Sequence, residues 1–279
     1  MARQAVFVDA LGKHLPNVLN ALVVEYALVK TTIRLPNIQS RALVGMRLSP
    51  DGRLYTWCNS YMHIGNNPIS DVCHKNIADI IFDDNNIGYI PEGNTLLQIH
   101  GNVVKPLWVA VNTLGQCISI RNTETNKVEL FDILHIYKHA WITVRDFHTG
   151  AIRRSTSFEY VVDFDIIGAA GNYIYLYSHD TVRRIDIRDM TLDHKWEKHV
   201  RTLRHMAYIA IERYLLNWSP YVRCIDKFDL QTSQYSGTHA FEGGLGEHAI
   251  LRLADDILYV GYPSSDVIYV YQLPDDHFS

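Results

Sequence analysis

The sequence predicts an all-β protein, a β-propeller, on two observations. The first is a pattern that occurs twice near the C-terminus. AYIAI (207–211), YLLNW (214–218) and VRCIDKFDL (222–230) are short apolar runs parted by turn residues, and AILRL (249–253), ILYVGY (257–262) and VIYVYQL (267–273) are the same again. Runs this rich in Val, Ile, Leu and Tyr read as strands. The second observation is the period. The two sets start 42 residues apart, and a strand-built repeat of about 40 residues corresponds to one four-stranded propeller blade.

Residues 1–29 stand apart from this pattern. Leu15-Pro16 opens LPNVLNALVVEYAL, with apolar residues at Val18, Leu19, Leu22, Val23, Tyr26 and Ala27. That spacing makes one stripe of an amphipathic helix, and Pro16 suits its first turn. TTIRL (31–35) then reads as a lone strand. The last repeat ends after its third strand, so this N-terminal strand is expected to complete it from outside and close the ring. Two segments follow: a helical one over 1–29 and a propeller over 30–279.

The first blade takes LVGMRLS (43–49), RLYTWC (53–58) and YMHIG (61–65), with Pro50-Asp51-Gly52 as the turn. The second takes ADIIF (78–82), IGYI (87–90), TLLQI (95–99) and LWVAV (107–111). QCISI (116–120), VELFDI (128–133), WITVRDF (141–147) and IRRSTS (152–157) make the third. The fourth combines VVDFDII (161–167), YIYLY (173–177) and TVRRIDI (181–187), with 192–196 outermost. The opening pair are the fifth and sixth. Six four-stranded blades are expected, or seven if residues 116–157 are divided.

Two resemblances refine this. ITVRDFHTG, RRIDIRDMT and CIDKFDLQT share an apolar-acidic-apolar ending followed by Thr149, Thr191 or Thr232. This resembles the strand ending of WD-repeat propellers and implies an Asp that tightens the turn before a Thr that starts the next strand. The Gly-His and Trp-Asp signatures of that family are missing, so the resemblance is to a divergent WD-like propeller. LPNVLNALVVEY resembles the first helix of an F-box, although KTTIRLPNIQS carries none of its later helices. The resemblance implies that Leu15, Pro16, Val18, Leu19, Leu22 and Val23 bind a ubiquitin-ligase adaptor. The alternative is a helix that caps the blades.

Composition excludes several classes. With a net charge of −4 over 279 residues, the chain has no global basic field for nucleic acid or acidic membranes. No apolar run approaches the roughly 18 residues of a spanning helix, and MARQAVFVDALGKHLP lacks the pattern of a secretory signal. Cys58, Cys73, Cys117 and Cys224 are widely spaced, which fits free thiols in a reducing cytoplasm. A monomer that binds protein partners, without cofactor or metal, is expected.

Local chemistry is sparse. Asp83-Asp84-Asn85-Asn86 before Gly88 has the composition of a calcium loop but lacks its alternating ligands and distal Glu, so it reads as a turn. Cys58, His63, Cys73 and His74 are zinc-type donors at a spacing that matches no common site. The glycines of FEGGLGEH (Gly243, Gly244, Gly246) and Gly237 precede a strand where a phosphate cradle needs a helix. Arg183, Arg184 and Arg188 sit among Asp186 and Asp189. Asp79, Asp163, Asp165 and Glu247 fall near blade ends and could converge on the channel, where paired carboxylates permit glycosidase-type chemistry. The expected function is therefore a protein-interaction scaffold rather than an enzyme, with the F-box-like helix pointing to a ubiquitin-ligase substrate receptor. The alternative is a propeller hydrolase or lyase.

Overall fold

The computed structural model describes residues 25–34, 43–58, 62–65, 67–69, 77, 79–159, 164–178, 181–199, 208–210, 214–219, 224–229, 235–241, 250–254, 257–262 and 267–272. The regular elements among them are strands. The first blade is β2 (Leu43–Leu48), β3 (Leu54–Cys58), β4 (Met62–Ile64) and β5 (Asn67–Ile69). The second is β6 (Ile81–Phe82), β7 (Gly88–Glu92), β8 (Thr95–His100) and β9 (Val103–Val109). The third is β10 (Gln116–Arg121), β11 (Val128–Ile136), β12 (His139–Arg145) and β13 (Ile152–Glu159). The fourth is β14 (Asp165–Ala170), β15 (Tyr173–Ser178), β16 (Thr181–Asp186) and β17 (Thr191–His199). All neighbours within these four sheets are antiparallel and consecutive.

The remaining strands make one eight-stranded sheet. It joins β18 (Tyr208–Ala210), β19 (Tyr214–Ser219), β20 (Cys224–Asp229) and β21 (Tyr235–Phe241) to β22 (Ile250–Ala254), β23 (Ile257–Gly261) and β24 (Val267–Gln272). The link is β1 (Glu25–Arg34), whose first residues pair in parallel with β21 and whose remainder pairs antiparallel with β24. This corrects the blade count: five hydrogen-bonded sheets, not six or seven, because β1 satisfies two outer edges and fuses the last two repeats. An unpaired edge strand is a liability, and one strand here covers two.

The N-terminal expectation is corrected at the end of its helical stripe, the rest of which lies outside the described residues. Among the described residues there is no N-terminal helix, and Tyr26 and Ala27 lie in β1. Leu15, Pro16, Val18, Leu19, Leu22 and Val23 lie outside the described residues.

First strands lie against first strands: β22 against β2, β6 against β10, β10 against β14 and β14 against β18. Between the blades run apolar seams. Tyr55, Trp57 and Met62 of the first blade bury against Ile80, Ile90 and Leu97 of the second. Ile118, Phe131 and Ile142 of the third meet Ile174, Leu176 and Ile185 of the fourth. Leu43, Met46 and Leu54 meet Ile268 across the closing seam. Each fully buried side chain of this size contributes about 1.5–3 kcal/mol. Indoles pin the seams further, Trp57 Nε1 donating to the Ile77 carbonyl at 2.9 Å and Trp108 Nε1 to the Phe147 carbonyl at 2.8 Å.

The turns show why acidic residues recur there. Asp146 Oδ1 accepts the backbone N–H groups of His148 and Thr149 and the Thr149 hydroxyl. Asp189 Oδ1 does the same for Thr191 through its N–H and hydroxyl. Arg153 further holds Asp146, whose carboxyl sits at about 2 because its hydrogen bonds outweigh the opposing effect of burial.

Candidate functional site

One end of the molecule gathers three connections: the β7–β8 turn, the β9–β10 segment and the β11–β12 turn. Leu114 N–H donates to the Gly93 carbonyl at 2.7 Å and Ala110 N–H to the Asn94 carbonyl at 2.6 Å, which ties the first two. The third is tied by Asp132 of β11, whose Oδ1 accepts the Gly115 N–H at 2.8 Å. Gly115 runs so close to β11 that a Cβ there would stand 2.0 Å from the Ile133 carbonyl oxygen. Only glycine fits. Arg145 Nε donates to Asp132 Oδ2 at 2.9 Å, completing a buried, fully bonded pair.

On this braced scaffold stand exposed apolar side chains. Val111 is 99 % exposed, Tyr137 91 %, Trp141 47 % and Ile136 45 %. Tyr137 occupies the two-residue β11–β12 turn with φ 56°, a conformation that costs a bulky L-residue free energy. A strained, outward aromatic is unusual where glycine would serve.

Beside this end lies a cavity of about 560 Å³, bounded by first-strand residues of several blades. Its charged wall is Arg47 of β2, Arg252 of β22 and Asp79, which precedes β6. Arg47 Nη1 is 3.4 Å from Asp79 Oδ2 and Arg252 Nη2 is 3.9 Å from Asp79 Oδ1, both beyond direct hydrogen-bond length. Burial, with Arg47 adding to it against Asp79, brings Arg252 down to about 10, so it remains a cation at neutral pH. Its Nε is buried without a hydrogen-bond partner. Leu114, Ile118, Ile166, Ile167 and Cys117 also line the cavity. Burial first and Asp132 second raise the Cys117 thiol far above its ordinary range, so it lines the wall as a neutral group.

The other sequence candidates scatter. Of the four carboxylates, Asp79 alone among the described residues reaches the cavity; Asp165 is exposed on β14, and Asp163 and Glu247 lie outside the described residues. Among the described residues the wall pairs one carboxylate with two guanidiniums. Asp83 is spent within its own turn, accepting the N–H groups of Asn85 and Ile87 and the Tyr89 hydroxyl. Cys58 and His63 are buried in the first blade, while Cys73 and His74 lie outside the described residues. Gly237 belongs to β21, and the other three glycines lie outside the described residues. Arg183 pairs with Glu197, Arg184 with Asp193, and Arg188 with Asp186.

Arg47 and Arg252 were not singled out from sequence, yet a signal exists. In LVGMRLS and AILRLADD an Arg-Leu pair stands just before the first turn of its repeat, and both arginines pair with a tyrosine on the next strand, Tyr55 and Tyr259.

No protein-family model matches the chain, and no curated protein sequence does. Among solved structures it is similar to the AfRom2 CNH domain, at 9% identity and a TM-score of 0.54, over 89% of this chain and 99% of that one. It is also similar to BamB from Moraxella catarrhalis, at 12% identity and a TM-score of 0.47, over 89% of this chain and 100% of that one. The likeness to the CNH domain shows the β-propeller fold.

Proposed function

We propose that the chain is a protein-interaction propeller that docks a partner on the end carrying the β9–β10 segment and the β11–β12 turn. The observation that carries this is the set Val111, Ile136, Tyr137 and Trp141, exposed and apolar on a backbone braced by the Asp132–Gly115 contact. Aromatic anchors on rigid supports dominate protein interfaces. A local strain at Tyr137 kept against its cost fits a contact residue. The free thiols of Cys58 and Cys117 support a place inside the cell.

A narrower form of this reading makes the chain a ubiquitin-ligase substrate receptor, and it rests on LPNVLNALVVEY alone. The two parts separate in one experiment. Affinity capture with the full chain, an Ile136→Glu/Tyr137→Glu variant and a chain lacking residues 1–24 is read by quantitative mass spectrometry, with circular dichroism as the folding control. That truncation spares β1. The expected result is loss of at least one specific partner in the double variant. An unchanged set of captured proteins would overturn the docking face. Capture of a ligase adaptor by the full chain and not by the truncated one would support the receptor form, and equal recovery would remove it.

A further inference from the structure

We infer that the cavity walled by Arg47, Arg252 and Asp79 is a binding site for a small organic carboxylate with a short apolar body. This goes beyond the docking face, which uses other residues. Among the described residues, two guanidiniums against one carboxylate leave one positive charge uncompensated on the wall. Arg252 commits Nη1 to the Leu251 carbonyl at 2.7 Å, but its buried Nε donates to nothing. That atom is closed off from the cavity, and Nη2, 3.9 Å from Asp79 Oδ1, is the donor that can meet an acceptor there. Asp79 is a poor competitor for that role. Its Oδ1 already accepts the Ile80 N–H at 2.8 Å, and it reaches neither arginine at hydrogen-bond distance.

Charge and shape narrow the ligand. One uncompensated charge matches a monoanion, and planar guanidiniums suit carboxylate oxygens. Leu114 and the half-buried Ile166 and Ile167 among the lining residues favour an apolar body over bare inorganic phosphate. The volume of about 560 Å³ falls within the range of about 300–1,000 Å³ usual for small-molecule sites.

The test is ¹⁹F NMR of 4-fluorobenzoate titrated with the full chain, with hexanoate, hexanamide and inorganic phosphate as competitors. Saturable line broadening is expected, reversed by hexanoate and not by the neutral amide. Arg252→Gln should weaken binding about tenfold through loss of a charged donor. Asp79→Asn should tighten it about threefold or more by removing the negative charge that repels a carboxylate, a gain that general damage to the fold would not produce. Should Arg252→Gln fail to fold by circular dichroism, Arg47→Gln with Asp79→Asn decides the matter. No saturable broadening with the folded chain, equal competition by hexanamide, or stronger competition by phosphate than by hexanoate would each overturn the assignment.

Discussion

Two aspartates on neighbouring blades meet arginine in opposite ways. Asp132 and Arg145 are in direct contact at 2.9 Å, with side chains only 6 % and 12 % exposed, and the second Asp132 oxygen holds Gly115. Asp79 stands 3.4 and 3.9 Å from two arginines, with all three side chains about a quarter to a third exposed. The first arrangement leaves nothing for a ligand, because each carboxylate oxygen is bonded. The second holds its charges apart and leaves donors unspent. Ion pairs of the first kind brace a structure; those of the second are available for chemistry.

The contrast is most sharply broken by Asp132→Ala. Removing one partner of a buried pair strands the other, so a loss of about 3 kcal/mol in denaturant unfolding is expected. Gly115→Ala attacks the same contact from its donor side. Its Cβ would collide with the backbone of Ile133, and a loss of about 2 kcal/mol is expected by the same measurement. Tyr137→Gly should act in the opposite direction, raising stability by about 0.5–1 kcal/mol as the left-handed strain is relieved while partner capture falls. That opposition distinguishes a contact residue from a structural one.

His63 sharpens the comparison from another side. Its buried Nδ1 has no hydrogen-bond partner, like Arg252 Nε, but it belongs to a neutral ring on β4 and no charged wall adjoins it among the described residues. Burial lowers its pKa below the model-peptide value of 6.5. The unfolded chain therefore binds a proton at pH values where the native chain does not, and stability falls as pH drops below about 6.5 towards the lower native value. Unfolding of wild type and His63→Gln at pH 7.5 and 5.5 should show a smaller acid loss in the variant.

Sequence alone revealed the strands best where both faces are buried. The alternating apolar residues of VELFDI and YIYLY sit in β11 and β15 with buried positions at their centres. Outer strands were harder. β5 is NPI, with Asn67 and Pro68 exposed, and β21 is YSGTHAF, so neither carries an apolar period. The blade count failed for a topological reason: no local pattern says that β1 pairs with two repeats at once. The helix expected at the N-terminus overlaps β1 in Glu25, Tyr26 and Ala27, where pairing with β21 decides the backbone over helical spacing. Of the cavity's charged residues only Asp79 stands out in the sequence, since its partners are 32 residues before it and 173 after it.

The most direct measurement sets Asp79→Asn beside Asp132→Asn in urea unfolding at neutral pH, since each removes one charge and keeps an amide oxygen. Asp132→Asn is expected to lose about 2 kcal/mol or more, and Asp79→Asn less than about 0.5 kcal/mol. Equal losses would contradict the distinction, making the cavity wall as structural as the Asp132–Arg145 brace.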